Sequence, residues 1–372
     1  MINKDPQIIH HKALKALVPA MRYDGASEFA AWQKSARAHL ASLMGLDRIT
    51  PAADDLFSIE HEKDFDTFTE YRFTFQSEVG YFVPCTLWVP KGKDGKIPVV
   101  ICLQGHSKGF HISLGRPIYL GDEKSIGGGD RDFAVQIVRE GYCALAIEQR
   151  GFGECGGDEK SINGGDRDFA VQIVREGYCS LAIEQRGFGE CGGDEKGPGC
   201  QVPAMSALLY GRTLIGERVF DISRAMDAVT EHFDFVDADK IACMGNSGGG
   251  TATIYASAID ERIKVSMPSC ALCTYKDSIG AMKHCVCNYI PNIALDFDMG
   301  DLCGLIAPRK LIAVSGAEDN IFPHDGVAES IEVASLYYRA AGEPDGYKWI
   351  EGPEGHRFYA ALSWPVFHKM FD

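Results

Sequence analysis

The apolar positions of this chain change period along its length, and those changes divide it into elements. Over residues 29–43, Phe29, Trp32, Ala36, Leu40 and Leu43 recur every three or four positions, the spacing that lines up one face of a helix. Residues 1–56 are therefore read as an N-terminal helical cap on a domain spanning 57–372. From 57 to 90 the pattern turns to alternation, as in TEYRFTFQ and GYFVPCTLWVP, which predicts an antiparallel opening to a sheet. The turn KGKDGK leads into IPVVICL (97–103), a short unbroken apolar run of the kind a strand carries when both faces are covered. Further runs, KIACMG (240–245), IKVSM (263–267), KLIAVSG (310–316) and YKWIEG (347–352), are separated by helix-length segments. Strands alternating with helices in this way predict a single α/β domain: a mostly parallel central sheet with helices on both faces.

One stretch interrupts this regularity. Residues 122–157 are followed at once by a near-identical copy, 158–193, which differs only at Asn163 for Gly127 and Ser180 for Ala144. In each copy DRDFAVQIVREGY puts an apolar stripe on a helix (Phe133, Ala134, Ile137, Val138, and again Phe169, Ala170, Ile173, Val174), and CALAIEQRGFG or CSLAIEQRGFG follows as a buried strand and its loop. Solenoids need at least three diverged units, so a single near-identical pair is a tandem duplication of one helix-strand unit. Two identical strands then compete for one place in the sheet. The expectation is that one fills it and the other is extruded, with its stripe driving homo-oligomer formation; the alternative inserts both strands side by side.

With 45% hydrophobic and 24% charged residues the chain can bury a sizeable core, and its formal net charge of −15 argues against nucleic-acid or anionic-membrane partners. The opening residues carry charge and proline where a secretory signal needs an unbroken apolar run, and no later run is long enough to span a membrane, so a cytoplasmic location is expected. The 13 Cys, several inside apolar strand-like runs, read as buried thiols in a reducing compartment.

The strongest chemical signal is GNSGG (245–249), directly after one apolar strand and directly before a helix-like segment. A serine raised on a tight strand-to-helix turn needs small neighbours, which makes Ser247 the candidate nucleophile. The competing reading is a glycine-rich phosphate or turn loop, which here lacks the lysine of a P-loop. A hydroxyl needs a base, and the base needs an acid to orient it. KLIAVSGAEDNIFP presents Asp319, with Glu318 beside it, and YKWIEGPEGHRF presents His356, each just past the end of a strand. His324 and His284 are the competing bases, and Asp319 is preferred to Glu318. The oxyanion donors are assigned to the backbone N–H of Gly248 and to the loop after IPVVICL, where His106 is nominated. CALC (270–273) and HCVC (284–287) raise the question of zinc, but their spacing is not that of a usual zinc knuckle, and neither metal nor cofactor is expected.

On these residues the sequence resembles the α/β-hydrolase superfamily, and within it the acetyl xylan esterase and dienelactone-hydrolase-like branch. QGH stands at the oxyanion turn, with Gln104 in place of the usual His; EQRGFGE resembles the RGxG loop, GNSGG the nucleophile elbow, APRKLIAVSGAEDNIFP the acid loop and GPEGH the histidine loop. The resemblance implies the α/β-hydrolase fold, a Ser247–His356–Asp319 triad, a small-molecule ester substrate and hydrolysis of short-chain, often acetyl, esters of sugars without a cofactor. A serine peptidase of the same superfamily, or a scaffold whose duplicated segment serves assembly, are the alternatives.

Overall fold

The computed structural model describes residues 5–103, 105, 178–183, 186 and 200–371. The chain enters through helix α1 (Gln7–Ala16), none of whose residues is buried, and helix α2 (Phe29–Met44). The Glu28 carboxylate accepts the N–H groups of Ala30 and Ala31 at the start of α2, and Gly45 ends it at φ 76°, a left-handed conformation that suits glycine. Trp32, Ala36, Leu40 and Met44 are buried on its inner face and belong to the same apolar core as the sheet, so α2 packs as one layer of the domain.

Strands β1 (Ser58–Asp64), β2 (Phe68–Glu78) and β3 (Tyr81–Pro90) form the antiparallel opening that the alternation predicted. Strand β4 (Ile97–Leu103) follows, and Val99, Val100, Ile101 and Leu103 in it are all fully buried. Each such side chain contributes about 1.5–3 kcal/mol by leaving water. The later elements are β5 (Cys179–Ile183), α3 (Gln201–Leu209), α4 (Leu214–His232), β6 (Val236–Asn246), α5 (Gly248–Ile259), β7 (Ile263–Ser269), α6 (Ile293–Asp296), α7 (Met299–Ile306), β8 (Lys310–Gly316), α8 (His324–Ala340), β9 (Tyr347–Gly352) and α9 (Ala360–Phe371). Among the described residues these strands make one sheet in the order β1-β2-β3-β5-β4-β6-β7-β8-β9. Pairing is antiparallel from β1 to β5 and parallel from β5 to β9.

Strand β5 belongs to the second copy of the duplicated unit. It pairs with β3 on one side, Leu87 opposite Leu181, and with β4 on the other, Ile101 opposite Leu181. A single strand therefore joins β3 to β4, which rules out the side-by-side insertion of both strands at this place. The loop after β5 is anchored by Arg186, which is 4% exposed. Its guanidinium grips Asp221 through two nitrogens, at 2.8 and 3.0 Å, bonds Glu78, lies 3.3 Å from Glu217 and stacks over the Tyr81 ring. Burial works against this charge, but Asp221, then Glu217 and Glu78, outweigh it and hold the pKa above its ordinary value. The first copy lies outside the described residues.

Candidate active site

The turn between β6 and α5 is shaped by what can fit beside it. A side chain at Gly245 would put its Cβ 2.5 Å from the Leu103 carbonyl oxygen and 2.5 Å from the Gly249 carbonyl carbon, so only glycine lets β6 lie this close to β4 and to its own helix. Ser247 then takes φ 56° and ψ −121°, a strained conformation for a residue with a side chain and the one expected of a nucleophile at a strand-to-helix turn. Its N–H donates to the Ser269 carbonyl at 2.8 Å, and its carbonyl accepts from the Thr251 N–H at 2.8 Å. On the other side, a Cβ at Gly105 would lie 3.0 Å from the Ser247 Cβ, which brings the loop after β4 against the serine. Gln104 and His106, the nominated oxyanion residue, lie outside the described residues.

Asp319 and His356 meet across the ends of β8 and β9. The His356 Nδ1 lies 2.8 Å from Asp319 Oδ2, while Asp319 Oδ1 accepts the N–H groups of Ile321 and Phe322 at 2.8 and 3.2 Å. Burial raises the pKa of Asp319, but the bond to His356, its charge and the two backbone donors prevail and hold the carboxyl below the usual carboxylate range. Glu318 is exposed, and its backbone N–H is tied to the Glu354 carbonyl. The competing histidines point elsewhere: the His324 ring bonds Glu351 at 2.5 Å on the surface, and His284 lies 3.3 Å from Ser278 Oγ.

Strand β7 joins the two halves. Its last residue, Ser269, receives the Ser247 N–H, and the next, Cys270, has a sulfur within 4.8 Å of the ligating atoms of Asp319 and His356. Cys270 adopts φ 46°, donates its N–H to Val314 of β8 at 2.8 Å and places Sγ 3.2 Å from the Arg357 carbonyl, next to His356. Burial, then Asp319, pushes this thiol up to about 12, so it is neutral near pH 7. Phe322 stacks on the His356 ring with centroids 5.9 Å apart. Sequence reasoning passed over both: Cys270 was weighed only as a thiol pair with Cys273, although its place just past a parallel strand was the available signal. The arrangement places a strained serine, a histidine oriented by a buried carboxylate and a glycine loop along the C-terminal ends of the parallel strands. That is an equipment for nucleophilic attack on a carbonyl with proton transfer.

Comparison with known proteins bears on the fold and the family likeness. The family profile of acetyl xylan esterase (AXE1) matches residues 160–289, and that of an Abhydrolase family matches residues 6–169. Ser247 falls in the first span, and Asp319 and His356 lie beyond both. YtaP of Bacillus subtilis (strain 168), whose name assigns it to the hydrolases, is 29% identical over 152 residues, 40% of this chain and 50% of that protein. The chain thus matches about half the length of this curated relative. A solved Bacteroides fragilis NCTC 9343 structure, named for acetyl xylan esterase, is 16% identical with a TM-score of 0.73, covering 99% of this chain and 95% of its own. The glucuronoyl esterase of Solibacter usitatus is 17% identical with a TM-score of 0.63, covering 95% of this chain and 96% of its own. With the fold shared along nearly its whole length and the two profiles meeting inside the second copy, the chain has the α/β-hydrolase fold, and its matches fit the acetyl xylan esterase-like branch.

Proposed function

We propose that this protein is a serine esterase that hydrolyses short-chain esters, of the acetyl type and borne on carbohydrate. The observation that carries the reading is the end of β7, where consecutive residues hold Ser247 through a backbone bond and stand beside the Asp319–His356 pair. The acetyl xylan esterase profile over the serine turn, and structural neighbours named for acetyl xylan and glucuronoyl esterases, support the substrate class.

In this mechanism Asp319 holds the Nδ1–H of His356, which leaves Nε2 to take the Ser247 proton as Oγ attacks the ester carbonyl. The developing oxyanion is met by the Gly248 N–H at the start of α5 and by a donor from the loop after β4. His356 then protonates the leaving alcohol, the acyl group remains on Ser247, and water deprotonated by the same imidazole releases the acid. The depressed Asp319 keeps its negative charge through the cycle and stabilises the imidazolium.

The test is a series of p-nitrophenyl esters of increasing acyl length, followed by acetylated xylan, assayed with the wild type and with Ser247→Ala. Acetyl is expected to be the best acyl group and the variant to be inactive. A Ser247→Ala protein retaining more than about a tenth of the rate would overturn the assignment, and a preference for long acyl chains would overturn the substrate class.

A further inference from the structure

The HCVC stretch does not work with CALC, its neighbour in sequence, nor with its own His284. Cys285 immediately precedes a short 3₁₀ turn (Val286–Asn288) and Cys287 lies within it, and their sulfurs lie 3.1 Å apart. The third member comes from far along the chain: Cys200, the residue before α3, whose sulfur is within 4.8 Å of both. Cys200 and Cys287 are each 1% exposed, whereas Cys285 is only half-buried. Beside them, in the first half of α4, the guanidinium of Arg218 has no exposure at all, donates from Nε to the Arg186 carbonyl at 2.7 Å and lies 3.4 Å from the Cys200 sulfur.

We propose that Cys200, Cys285 and Cys287 form a three-thiolate site for a zinc ion, with Arg218 as its charge partner. Sulfurs bound to one zinc at about 2.3 Å in tetrahedral geometry stand about 3.8 Å from one another, so the observed cluster needs only small side-chain rotations to close on an ion. Charge favours the same ligand. Binding releases three thiol protons and forms three Zn–S bonds, and the resulting unit, with one net negative charge, lies against one buried cation and is neutralised there. A dication held by neutral donors would be repelled by Arg218. The half-buried Cys285 marks the side from which an ion enters and from which water takes the fourth position.

Such a site would pin the segment after β7 to the start of α3. That segment also carries His284, whose ring meets Phe322 edge-on, and Phe322 stacks on His356. The ion is therefore a staple for one wall beside the catalytic histidine.

The test is metal binding by the full chain, purified under reducing conditions and titrated with zinc, and with cobalt as the spectroscopic probe. One ion per chain is expected, with a sulfur-to-cobalt charge-transfer band that is lost in Cys285→Ser and in Cys287→Ser. Arg218→Lys is expected to weaken binding by about 10–100-fold, as changes next to metal ligands commonly do. Circular dichroism shows that each variant is folded, and Cys285→Ser, at the half-buried position, is the least disruptive. A band that survives both cysteine variants and disappears in Cys270→Ser would place the ion at the other cluster and overturn the proposal. So would the absence of a band in the wild type, or peptide mapping that finds Cys285 and Cys287 joined as a disulfide in zinc-supplemented protein.

Discussion

Cys270, Asp319 and His356 meet at the ends of parallel strands, whereas Cys200, Cys285 and Cys287 meet where no strand takes part. In the first cluster each side chain lies just past the end of a parallel strand, and the cysteine is the one member outside the proposed triad. In the second, two segments outside the sheet, one carrying Cys200 and the other Cys285 and Cys287, meet beside the buried Arg218. The contrast separates two uses of a thiol. One is a neutral, space-filling neighbour of a charged pair, and the other is a ligand.

The largest effect that tests this division is catalytic. Ser247→Ala is expected to lower kcat for p-nitrophenyl acetate by at least about 10⁴-fold, and Asp319→Asn by about 10²–10⁴-fold with the fold retained, as single triad losses do elsewhere. Glu318→Gln should change the rate less than about twofold, since an exposed carboxylate near a site is largely screened. Reversal of the Asp319 and Glu318 results in steady-state assays would move the acid to the neighbouring residue.

A smaller effect distinguishes the clusters directly. Cys285→Ser is expected to abolish zinc binding and leave kcat within about threefold, because the zinc ligand touches no reacting atom and reaches His356 only through His284 and Phe322. Parallel loss of zinc and of turnover would join the two clusters into one functional unit.

The pH dependence of stability gives a finer contrast. The folded state holds Asp319 below its unfolded pKa, so its contribution is fully present above about pH 4 and is lost as the pH falls through the depressed folded value. The difference in Tm between wild type and Asp319→Asn should therefore shrink on acidification toward pH 3. A difference independent of pH over that range would show that Asp319 ionisation adds no stability.

The smallest change is expected from the largest deletion. Both clusters are complete among the described residues, none of which falls in 122–157, and β5 and Arg186 come from the second copy. Removing 122–157 should leave a folded protein with ester turnover within about twofold and zinc binding intact. An unfolded product would show that the first copy is structurally required, and light scattering on the same sample reports whether it governs assembly.

How much of this could be read beforehand follows from which interactions are local. The runs at 97–103 and 310–316 coincide with β4 and β8 because apolar stretches of this length bounded by Gly, Pro and charge have few other uses, and the alternation at 347–352 suits the half-buried edge strand β9. The Asp319–His356 bond and the strained turn at Ser247 were legible because each residue closely follows a strand. The Arg186 network could not be found this way, since Glu78, Glu217 and Asp221 become its partners only when β2 and α4 pack on the loop after β5. The thiol cluster was half visible. HCVC raised the question of a metal, but adjacency suggested His284, whereas the ring lies on Phe322 and the third sulfur waits in a segment with no motif of its own. Helix α9 was not anticipated either, and it forms despite Pro365 within it because Trp364, Phe367 and Phe371 bury one face.

The place of β5 has a consequence for synthesis. β3 ends at Pro90 and β4 begins at Ile97, yet the strand that separates them in the sheet begins only at Cys179. On a ribosome moving at about 5–20 residues per second, the CALAI of the first copy emerges roughly 2–7 s before the CSLAI of the second. For that interval the vacancy between β3 and β4 has a claimant other than its final occupant. Order of arrival and final occupancy are opposite: the strand made second is the one that lies between β3 and β4.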